Sequence, residues 1–217
     1  MKLKGKLITF EGIEGSGKTT QLERLSAHLQ SQNLNPLVTR EPGGTDLGDR
    51  IRRILLDPAQ GAIDPMTELL LYLGIRRQHL REVLVPALEE GRLVLCDRFS
   101  DATRAYQGYG RGIPLEQIAE LERQAGVDRR PDLTLLLDME VNPALDRTRR
   151  RERQNQPRSR YDREDEAFHL RVREGYLAIA RREDGRVHRV DASGTVEETH
   201  QRIRTICDRF LSEREGA

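Results

Sequence analysis

The sequence predicts an α/β fold with three layers, in which a five-stranded parallel sheet is covered by helices on both faces. Apolar runs typical of buried strands fall at residues 6–10, 36–39, 92–96, 132–138 and 187–190. Helical patterns separate these runs, and the clearest of them lie at residues 65–89 and 196–211. Strands that alternate with helices form parallel sheets, and such sheets bind their ligands beyond the carboxyl ends of the strands.

The first strand leads into a glycine-rich turn followed by a helix. Residues 7–20 read Leu-Ile-Thr-Phe-Glu-Gly-Ile-Glu-Gly-Ser-Gly-Lys-Thr-Thr. They contain the pattern G-x-x-x-x-G-K-[ST] in the strand–turn–helix context that this pattern requires. The glycines allow a tight turn that aims backbone N–H groups at phosphate oxygens, and the helix adds the positive end of its dipole. The turn therefore predicts a nucleotide triphosphate site and a P-loop NTPase-like fold.

Two residues of this turn carry the chemistry of phosphate binding. Lys18 is placed to reach the β- and γ-phosphates, and the hydroxyl of Thr19 can bind Mg²⁺. The alternative is a glycine-rich turn without a ligand, but a chance match in a chain of this length should arise only about 1% of the time. The predicted nucleotide-binding residues are Gly12, Ile13, Glu14, Gly15, Ser16, Gly17, Lys18, Thr19 and Thr20.

The third strand ends in an acidic residue and an arginine, Asp97 and Arg98. An aspartate at the end of a strand beside a phosphate-binding loop can hold Mg²⁺, directly or through water. The plainer alternative for Asp97 is a strand-end cap or an ion pair. Arg98 offers a planar guanidinium group that suits a phosphate.

An arginine-rich segment covers residues 147–160, which read Arg-Thr-Arg-Arg-Arg-Glu-Arg-Gln-Asn-Gln-Pro-Arg-Ser-Arg. It lacks apolar residues, so we expect a mobile, exposed stretch within the domain. A charge run is usually a solvated loop. Beside a phosphate-binding loop, it instead predicts a lid at about residues 147–162 that closes over the triphosphate and supplies cations to the transferring phosphoryl group.

Length and composition limit the class of protein. The 217 residues fit a single domain, residues 1–217, with a sizeable core. The net charge of +1 creates no strong field for nucleic acid or an anionic membrane, and no apolar run reaches the length of a membrane span. Cys96 and Cys207 are too few for a disulfide framework, and the short basic N-terminus leads into a strand. We therefore expect a cytoplasmic protein.

Further motifs give the chain a resemblance to the thymidylate kinases. Arg-Glu-Pro-Gly-Gly-Thr at residues 40–45, Asp-Arg-Phe at residues 97–99, Ala-Tyr-Gln-Gly at residues 105–108 and the arginine-rich lid resemble that family in order and spacing. The resemblance runs over nearly the whole chain. It implies transfer of the γ-phosphoryl group of ATP to dTMP, giving dTDP and ADP for dTTP synthesis, with Mg²⁺ as cofactor. It also implies a homodimer formed through helices that include residues 65–89.

This reaction makes chemical sense of the many arginines. The acceptor is a phosphate monoester whose second pKa is about 6, so it is largely dianionic near neutral pH and needs no general base. The work is to hold two polyanions in line and to screen their repulsion. Arginines, Lys18 and Mg²⁺ are suited to that work.

The resemblance implies how the thymidine part of dTMP is bound. Tyr72 would stack on thymine, and Thr103 and Gln107 would hydrogen-bond to the edge of the pyrimidine. Tyr106 would pack against the sugar where a ribose 2′-hydroxyl would lie, and Glu14 would face the 3′-hydroxyl or a magnesium-bound water. Packing or solvent-exposed side chains are the plainer alternatives for all of them.

The resemblance also implies how the acceptor phosphate is bound. Arg52 and Arg98 would bind this phosphate, and Arg76 would bind the base or the phosphate side. Pro42 would follow a cis bond and shape the acceptor pocket. A solvated helix face for Arg52, a surface ion pair for Arg76 and an ordinary trans turn at Pro42 are the alternatives.

The family has two classes that differ in the place of the catalytic arginine. One class carries it in the phosphate-binding loop, at the position that resembles Gly15, so this chain lacks it there. The chain is similar to the bacterial-type class, which uses the lid. The resemblance implies that Arg147 stacks on adenine and that the catalytic arginine comes from Arg149, Arg151 or Arg153, which act with Lys18 and Arg98.

Three other functions share the same loop. A GTPase switch protein would need Asn-Lys-x-Asp to bind guanine, and no lysine follows residue 18. Another P-loop nucleotide or deoxynucleoside kinase stays an alternative, although a nucleoside hydroxyl would need a base and fewer arginines. A non-catalytic ATP-binding module would not consume ATP when dTMP is added.

Overall fold

The computed structural model describes residues 5–153 and 159–212, although the side chains of residues 151–153 lie outside the described part. Over this part, five parallel strands form one sheet in the order β2-β3-β1-β4-β5. Helices lie on both faces of the sheet, which confirms the predicted fold class. The strands are β1 (Lys6–Glu11), β2 (Leu37–Arg40), β3 (Leu93–Asp97), β4 (Leu133–Asp138) and β5 (Val187–Asp191).

Three of the helices begin just after a capping side chain. The side chains of Thr45, Asp64 and Asp165 accept backbone N–H groups in the first turns of α2, α3 and α8, as N-caps do. The helices are α1 (Lys18–Ser31), α2 (Asp46–Leu56), α3 (Pro65–His79), α4 (Val85–Glu89), α5 (Ser100–Thr103), α6 (Leu115–Gln124), α7 (Val141–Arg153), α8 (Glu166–Arg182) and α9 (Val196–Ser212). Short 3₁₀ turns cover Pro58–Gln60 and Arg160–Arg163, and π-helical turns cover Leu80–Leu84 and Arg104–Gly110.

The helix predicted at residues 65–89 is interrupted. A π-helical turn, Leu80–Leu84, separates α3 from α4, and the N–H of Val85 donates to the carbonyl of Leu80. Pro86 gives the physical reason, because proline has no N–H and its ring clashes with the carbonyl four residues earlier. An extra residue in the turn relieves that conflict.

The expectation of an exposed stretch over the arginine-rich segment is confirmed at Arg149 and Arg150 and is wrong at Arg160. Residues 147–153 belong to helix α7, which arginine and glutamate favour through their helix propensity. At the other end, Arg160 is buried in a 3₁₀ turn. Residues 154–158 of this segment lie outside the described part of the chain.

Side chains of the central strands alternate between two buried apolar clusters. Ile8 and Phe10 of β1 belong to one cluster, and Leu7 belongs to the other. Because successive side chains of a strand point to opposite faces, the two clusters lie on opposite faces of the sheet in this region. Cys96 and Cys207 are both free and buried within these clusters.

The register of the sheet sets the place of the site. Phe10 of β1 lies opposite Asp97 of β3, and Asp97 also lies opposite Arg40 of β2. The N–H of Arg98 donates to the carbonyl of Phe10 at 2.9 Å. The glycine-rich turn after β1 and the ends of β2 and β3 therefore meet at one edge of the sheet.

Within residues 5–153 and 159–212, none of the helices combines the length and the apolar character that crossing a bilayer requires.

Candidate nucleotide-binding site

A cavity of about 250 Å³ lies at the edge where the glycine-rich turn meets the ends of β2 and β3. Helices α2 and α3, the segment from α5 through Gln107, and the 3₁₀ turn at Arg160–Arg163 complete its walls. The cavity brings together most of the predicted site residues. These are Glu14, Gly15, Lys18, Thr19, Pro42, Arg52, Tyr72, Arg76, Asp97, Arg98, Thr103, Tyr106 and Gln107.

Lys18 lies against the carbonyl groups of its own loop. Its Nζ donates to the carbonyl oxygens of Gly12 at 3.0 Å and Ile13 at 2.8 Å. Burial and the neighbouring charge of Arg98 lower the pKa of Lys18 to about 8. The remaining predicted loop residues, which belong to the turn or to the first turn of α1 but do not line the cavity, are Gly12, Ile13, Ser16, Gly17 and Thr20.

Gly15 is held in a conformation and a contact that only glycine tolerates. Its φ is +78°, and a Cβ built on it would lie 2.1 Å from the carbonyl oxygen of Ala144 in α7. No side chain fits at this position while α7 keeps its place. The packing therefore explains in physical terms why this loop carries no arginine there.

Thr19 and Asp97 bring two side-chain oxygen atoms together beside the loop. The hydroxyl of Thr19 donates to Oδ2 of Asp97 at 2.9 Å, and both residues line the cavity. In the described part of the chain, no group of three or more acidic, histidine or cysteine side chains forms a metal cage. Mg²⁺ at nucleotide sites is held by one or two protein oxygens together with phosphates, so this pair fits that ion.

Arg98 lies at the centre of the site and is held by three acceptors. Its φ is +67°, which is rare for a residue other than glycine. Its guanidinium donates to the carbonyl of Gly12 and the hydroxyl of Tyr176, both at 3.0 Å, and to Oε1 of Glu14 at 2.8 Å. It also lies 4.9 Å from the ring centroid of Tyr106. These contacts fix the guanidinium beside the phosphate-binding loop.

Glu14 connects this arginine with the neighbouring tyrosine. Its Oε2 accepts the hydroxyl of Tyr106 at 2.5 Å, while Oε1 accepts Arg98. Burial by itself would raise the pKa of Glu14, but the charges of Arg98 and Lys18 outweigh burial and keep that pKa below its ordinary value. An ionised carboxylate therefore faces the cavity from within the loop.

Arg76 is buried in the wall of the cavity and bound to protein acceptors. Its Nε donates to Glu41 at 2.7 Å, and its Nη2 donates to the carbonyl of Phe99 at 3.0 Å and the hydroxyl of Thr103 at 2.9 Å. Its Nη1 lies 3.5 Å from Glu122. These partners hold the guanidinium and the Thr103 hydroxyl together.

Tyr72 and Gln107 meet at the hydroxyl group of Tyr161. The hydroxyl of Tyr72 donates to that of Tyr161 at 3.0 Å, and Nε2 of Gln107 lies 3.3 Å from the same oxygen. Nε2 of Gln107 also donates to Glu68 at 2.8 Å. Burial raises the pKa of Tyr72 to about 12, so its hydroxyl stays protonated near neutral pH.

The turn after β2 forms the wall opposite the phosphate-binding loop. The Glu41–Pro42 peptide bond is cis, as the resemblance implies. Nη1 of Arg52 donates to the carbonyl of Pro42 at 2.6 Å. Nδ1 of His79 lies 2.9 Å from Oε1 of Glu41, and this contact holds the turn in place.

Of the predicted lid arginines, those whose side chains the structure describes are not brought into the cavity. Arg147 and Arg149 belong to α7 and do not line the cavity, and Arg149 pairs with Asp146 at 3.2 Å while exposed to solvent. The side chains of Arg151 and Arg153 lie outside the described part. The cavity wall is instead reached by neighbours of these arginines, namely Thr148, Ser159, Tyr161 and Asp162.

Sequence reasoning missed the buried carboxylates that support the site. Glu68, Glu41 and Glu122 are almost fully buried, and each binds an arginine. A usable signal exists for Glu68, since it precedes Leu69 in a helix whose buried face is otherwise mostly apolar. A lone acid on a core-facing stripe indicates a buried partner.

The sequence is similar to known proteins over most of its length. The family model described as Thymidylate kinase matches residues 10–203. A thymidylate kinase of Pelobacter propionicus is 53% identical over 201 residues, covering 92% of this chain and 92% of that protein. A thymidylate kinase of Pelotomaculum thermopropionicum is 46% identical over 209 residues, covering 96% and 95% of the two chains.

The fold is similar to that of a solved structure. A crystal structure of thymidylate kinase from Ehrlichia chaffeensis superposes with a TM-score of 0.74 and 34% sequence identity. The match covers 94% of this chain and 98% of that chain. Both the sequence and the fold therefore point to the same family.

Proposed function

Because this chain belongs to the thymidylate kinase family, it transfers the γ-phosphoryl group of ATP to dTMP, and we propose how its residues divide that work. The observation that supports the proposal is the convergence of two groups of side chains on one cavity. Lys18, Thr19 and Asp97 line it from the phosphate-binding loop and the end of β3, and Tyr72 and Gln107 line it from α3 and the segment after α5. A donor phosphate and a nucleoside monophosphate can thus meet inside it.

The ATP side consists of the phosphate-binding loop and its neighbours. Lys18 leaves the carbonyls of Gly12 and Ile13 and binds the β- and γ-phosphates, while backbone N–H groups of residues 12–20 surround them. Thr19 and Asp97 would hold Mg²⁺, which neutralises phosphate charge when bound. In this assignment Arg147 stacks on adenine.

The dTMP side consists of residues from the opposite wall. Tyr72 stacks on the base, and Thr103 and Gln107 bind its edge. In this assignment Tyr106 packs against the sugar and Glu14 faces its 3′-hydroxyl, and the hydrogen bond between their side chains supports assigning both to the same part of the substrate.

The acceptor phosphate is bound by arginines. Arg52 and Arg98 bind it, and Arg76 forms the wall behind the base, because its donors already bind Glu41 and Thr103. Because the acceptor is a dianionic phosphate near neutral pH, no side chain has to remove a proton from it. The protein therefore acts by aligning two anions and stabilising charge in the transition state.

The lid supplies the last cations. We assign the catalytic arginine to Arg149, Arg151 or Arg153, which follow Thr148 along the chain while Thr148 lines the cavity. The packing of Gly15 against Ala144 supports this assignment, because it leaves no room for an arginine in the loop. Closing of the lid would move these arginines toward the phosphates.

A homodimer formed through α2 and α3 is part of the proposal. Leu47 and Ile54 of α2 are about half exposed, with 50% and 49% of their surface accessible, and Leu70 of α3 is 51% exposed. The two helices pack side by side, so these side chains form an apolar face. Gly74, one turn beyond Leu70, has open space around it, which lets a second copy approach closely.

We propose further that residues 1–217 act as one nucleoside monophosphate kinase-like domain in the cytoplasm. Two free, buried cysteines are consistent with a reducing compartment. A net charge of +1 favours small-molecule substrates over nucleic acid or membrane.

The proposal is tested by a coupled assay of ADP formation with Mg·ATP and a panel of nucleoside monophosphates. We expect turnover with dTMP and loss of at least two orders of magnitude in kcat for Lys18→Ala, because Lys18 acts on transition-state charge. Circular dichroism checks that this variant is folded. Preferred turnover of another nucleotide, or of a nucleoside, would favour the alternative kinase. Normal turnover by folded Lys18→Ala would remove the role of Lys18.

A further inference from the structure

Glu68 is a fully buried carboxylate that lies behind the base-binding wall. It is on α3, one turn before Tyr72, and none of its surface is accessible. Its Oε1 accepts Nε2 of Gln107 at 2.8 Å and Nε of Arg111 at 3.3 Å, and its Oε2 accepts Arg160. A single buried acid thus binds a base-contacting residue and two arginines.

These partners keep Glu68 ionised. Burial alone would raise the pKa of Glu68, but the hydrogen bonds from Arg160 and Gln107 and the charge of Arg111 outweigh burial and hold that pKa below its ordinary value. An ionised carboxylate accepts hydrogen bonds and cannot donate them. Whatever faces Glu68 must therefore be a donor.

This requirement fixes the orientation of the Gln107 amide. Its nitrogen faces Glu68 at 2.8 Å and the hydroxyl oxygen of Tyr161 at 3.3 Å, which uses both of its N–H groups. A flipped amide would place its oxygen against the Glu68 carboxylate. The amide oxygen is consequently the side-chain atom of Gln107 that can still form a hydrogen bond with a ligand. Gln107 lines the cavity in which that ligand would bind. In the described part of the chain, no group donates to this amide oxygen.

Thr103 presents the opposite hydrogen-bonding group one helical turn away. Its hydroxyl oxygen accepts Nη2 of Arg76 at 2.9 Å. Since an arginine can only donate, the hydroxyl proton of Thr103 remains available to a ligand, and Thr103 also lines the cavity. Donor and acceptor therefore stand side by side on one wall.

We propose that Glu68 is the positioning residue that sets the base selectivity of this site, by holding Gln107 with its amide oxygen toward the substrate. Together with the Thr103 hydroxyl, that oxygen matches a pyrimidine with an O4 acceptor and an N3–H donor, as in thymine and uracil. Cytosine offers the reverse pattern, an amino donor and an N3 acceptor, so both contacts are lost. The inference rests on the proposed dTMP-binding role of Thr103 and Gln107.

The decisive variant is Glu68→Gln, which keeps the shape but allows the group at position 68 to donate. The Gln107 amide can then flip and accept from it. We expect the ratio of kcat/KM for dTMP to that for dCMP to fall at least tenfold, with KM for ATP changed less than twofold. In a Gln107→Leu background, the same change at Glu68 should leave the ratio unaltered, because Glu68 acts through Gln107.

Glu164→Gln is the matched control. Glu164 binds the same Arg111, at 2.6 Å, but makes no contact with Gln107. Its variant should keep the wild-type ratio of dTMP to dCMP. A ratio that stays at the wild-type value in folded Glu68→Gln, or that falls equally in Glu164→Gln, would overturn the inference.

A measurement on the unmodified protein covers the case in which Glu68→Gln does not fold. dUMP and dCMP differ only at the C4 and N3 edge, so the wild type should use dUMP at least 100-fold better than dCMP, judged by kcat/KM. Comparable values for these two nucleotides would contradict the inference. Absence of turnover with dTMP itself would instead contradict the proposed function, so the two failures are distinct.

Discussion

Glu11 is a buried carboxylate whose surroundings disfavour its charged form. It is fully buried at the end of β1, where Oε1 accepts the N–H of Phe99 at 2.8 Å and Oε2 accepts the hydroxyl of Tyr176 at 2.7 Å. Burial, together with the charge of Asp101, raises the pKa of Glu11 to about 7. Ionisation of Glu11 therefore destabilises the folded protein.

This pKa predicts a pH-dependent effect of Glu11→Gln. Between pH 4.5 and 7 the folded state binds more protons at Glu11 than the unfolded state, so stability falls as pH rises through that window. The glutamine variant lacks the titration. It should match the wild type at about pH 4 and exceed it by about 3 kcal/mol at about pH 8, measured by urea unfolding. A difference that does not change with pH would contradict this prediction, and exposed Glu120→Gln serves as control.

At the residue scale, the sequence predicted groups that belong to motifs and missed those that support them. Lys18, Thr19 and Asp97 were predicted because a local pattern carries them, and the structure brings them to one cavity. Glu68 and Tyr161 contact residues 39 and 89 positions away. A lone acid on a core-facing stripe signals that Glu68 has a buried partner, but a local pattern does not identify that partner, so only the fold reveals these pairs.

At the scale of elements, the contact between the phosphate-binding loop and α7 determines which residue the loop can hold at position 15. The positive φ of Gly15 and its approach to the carbonyl of Ala144 act together. Since α7 contains residues 147–153 of the arginine-rich segment, this contact joins the loop to the helix that carries the predicted lid arginines. A change at this contact should affect both.

Gly15→Ala should therefore destabilise the protein by at least about 2 kcal/mol, from left-handed backbone strain and the clash with Ala144. KM for ATP should rise as the loop loses its shape. Gly61→Ala is the matched control, because Gly61 has a similar φ of +72° and nothing within 4 Å of its built Cβ. Thermal unfolding of both variants measures the difference. Equal losses would show that the Ala144 contact contributes nothing.

The lid arginines give a second prediction at this scale. Replacing Arg149, Arg151 and Arg153 together by alanine should lower kcat at least tenfold and change the Kd for dTMP less than threefold. The reason is that cations aimed at the transferring group act in the transition state rather than on the bound acceptor. Steady-state kinetics and calorimetric titration with dTMP separate the two effects. A pure loss of dTMP binding would place these arginines on the acceptor instead.

The prediction of elements succeeded for strands and was weaker for the lid. Each strand begins and ends within one residue of its apolar run. The physical reason applies to the central strands β1, β3 and β4, which are almost wholly buried and therefore mostly apolar. The lid was expected to be exposed because its charge run lacks apolar residues. Its first half is nevertheless helical, since α7 begins at Val141 and arginine continues a helix readily. A run of charged residues indicates exposure to solvent, but it does not determine whether the segment is helical.

At the scale of the whole molecule, the exposed apolar face of α2 and α3 predicts the oligomeric state. We expect a dimer by analytical ultracentrifugation, and Leu70→Glu should convert it to a monomer because a charge would be buried at the interface. Leu170→Glu is the control, since Leu170 is 47% exposed on α8, away from this face. A wild type that sediments as a monomer, or a dimer that survives Leu70→Glu, would contradict the proposed face.

The burial of both cysteines has a practical consequence for watching the lid move. The chain contains only Cys96 and Cys207, and burial raises the pKa of Cys207 to about 12. Thiol-directed dyes react with accessible thiolates, so the unaltered chain should stay unlabelled. A thiol introduced in place of exposed Arg150 would then take up a single fluorophore without further engineering. Its emission on mixing with nucleotide would report in real time whether the lid closes as proposed.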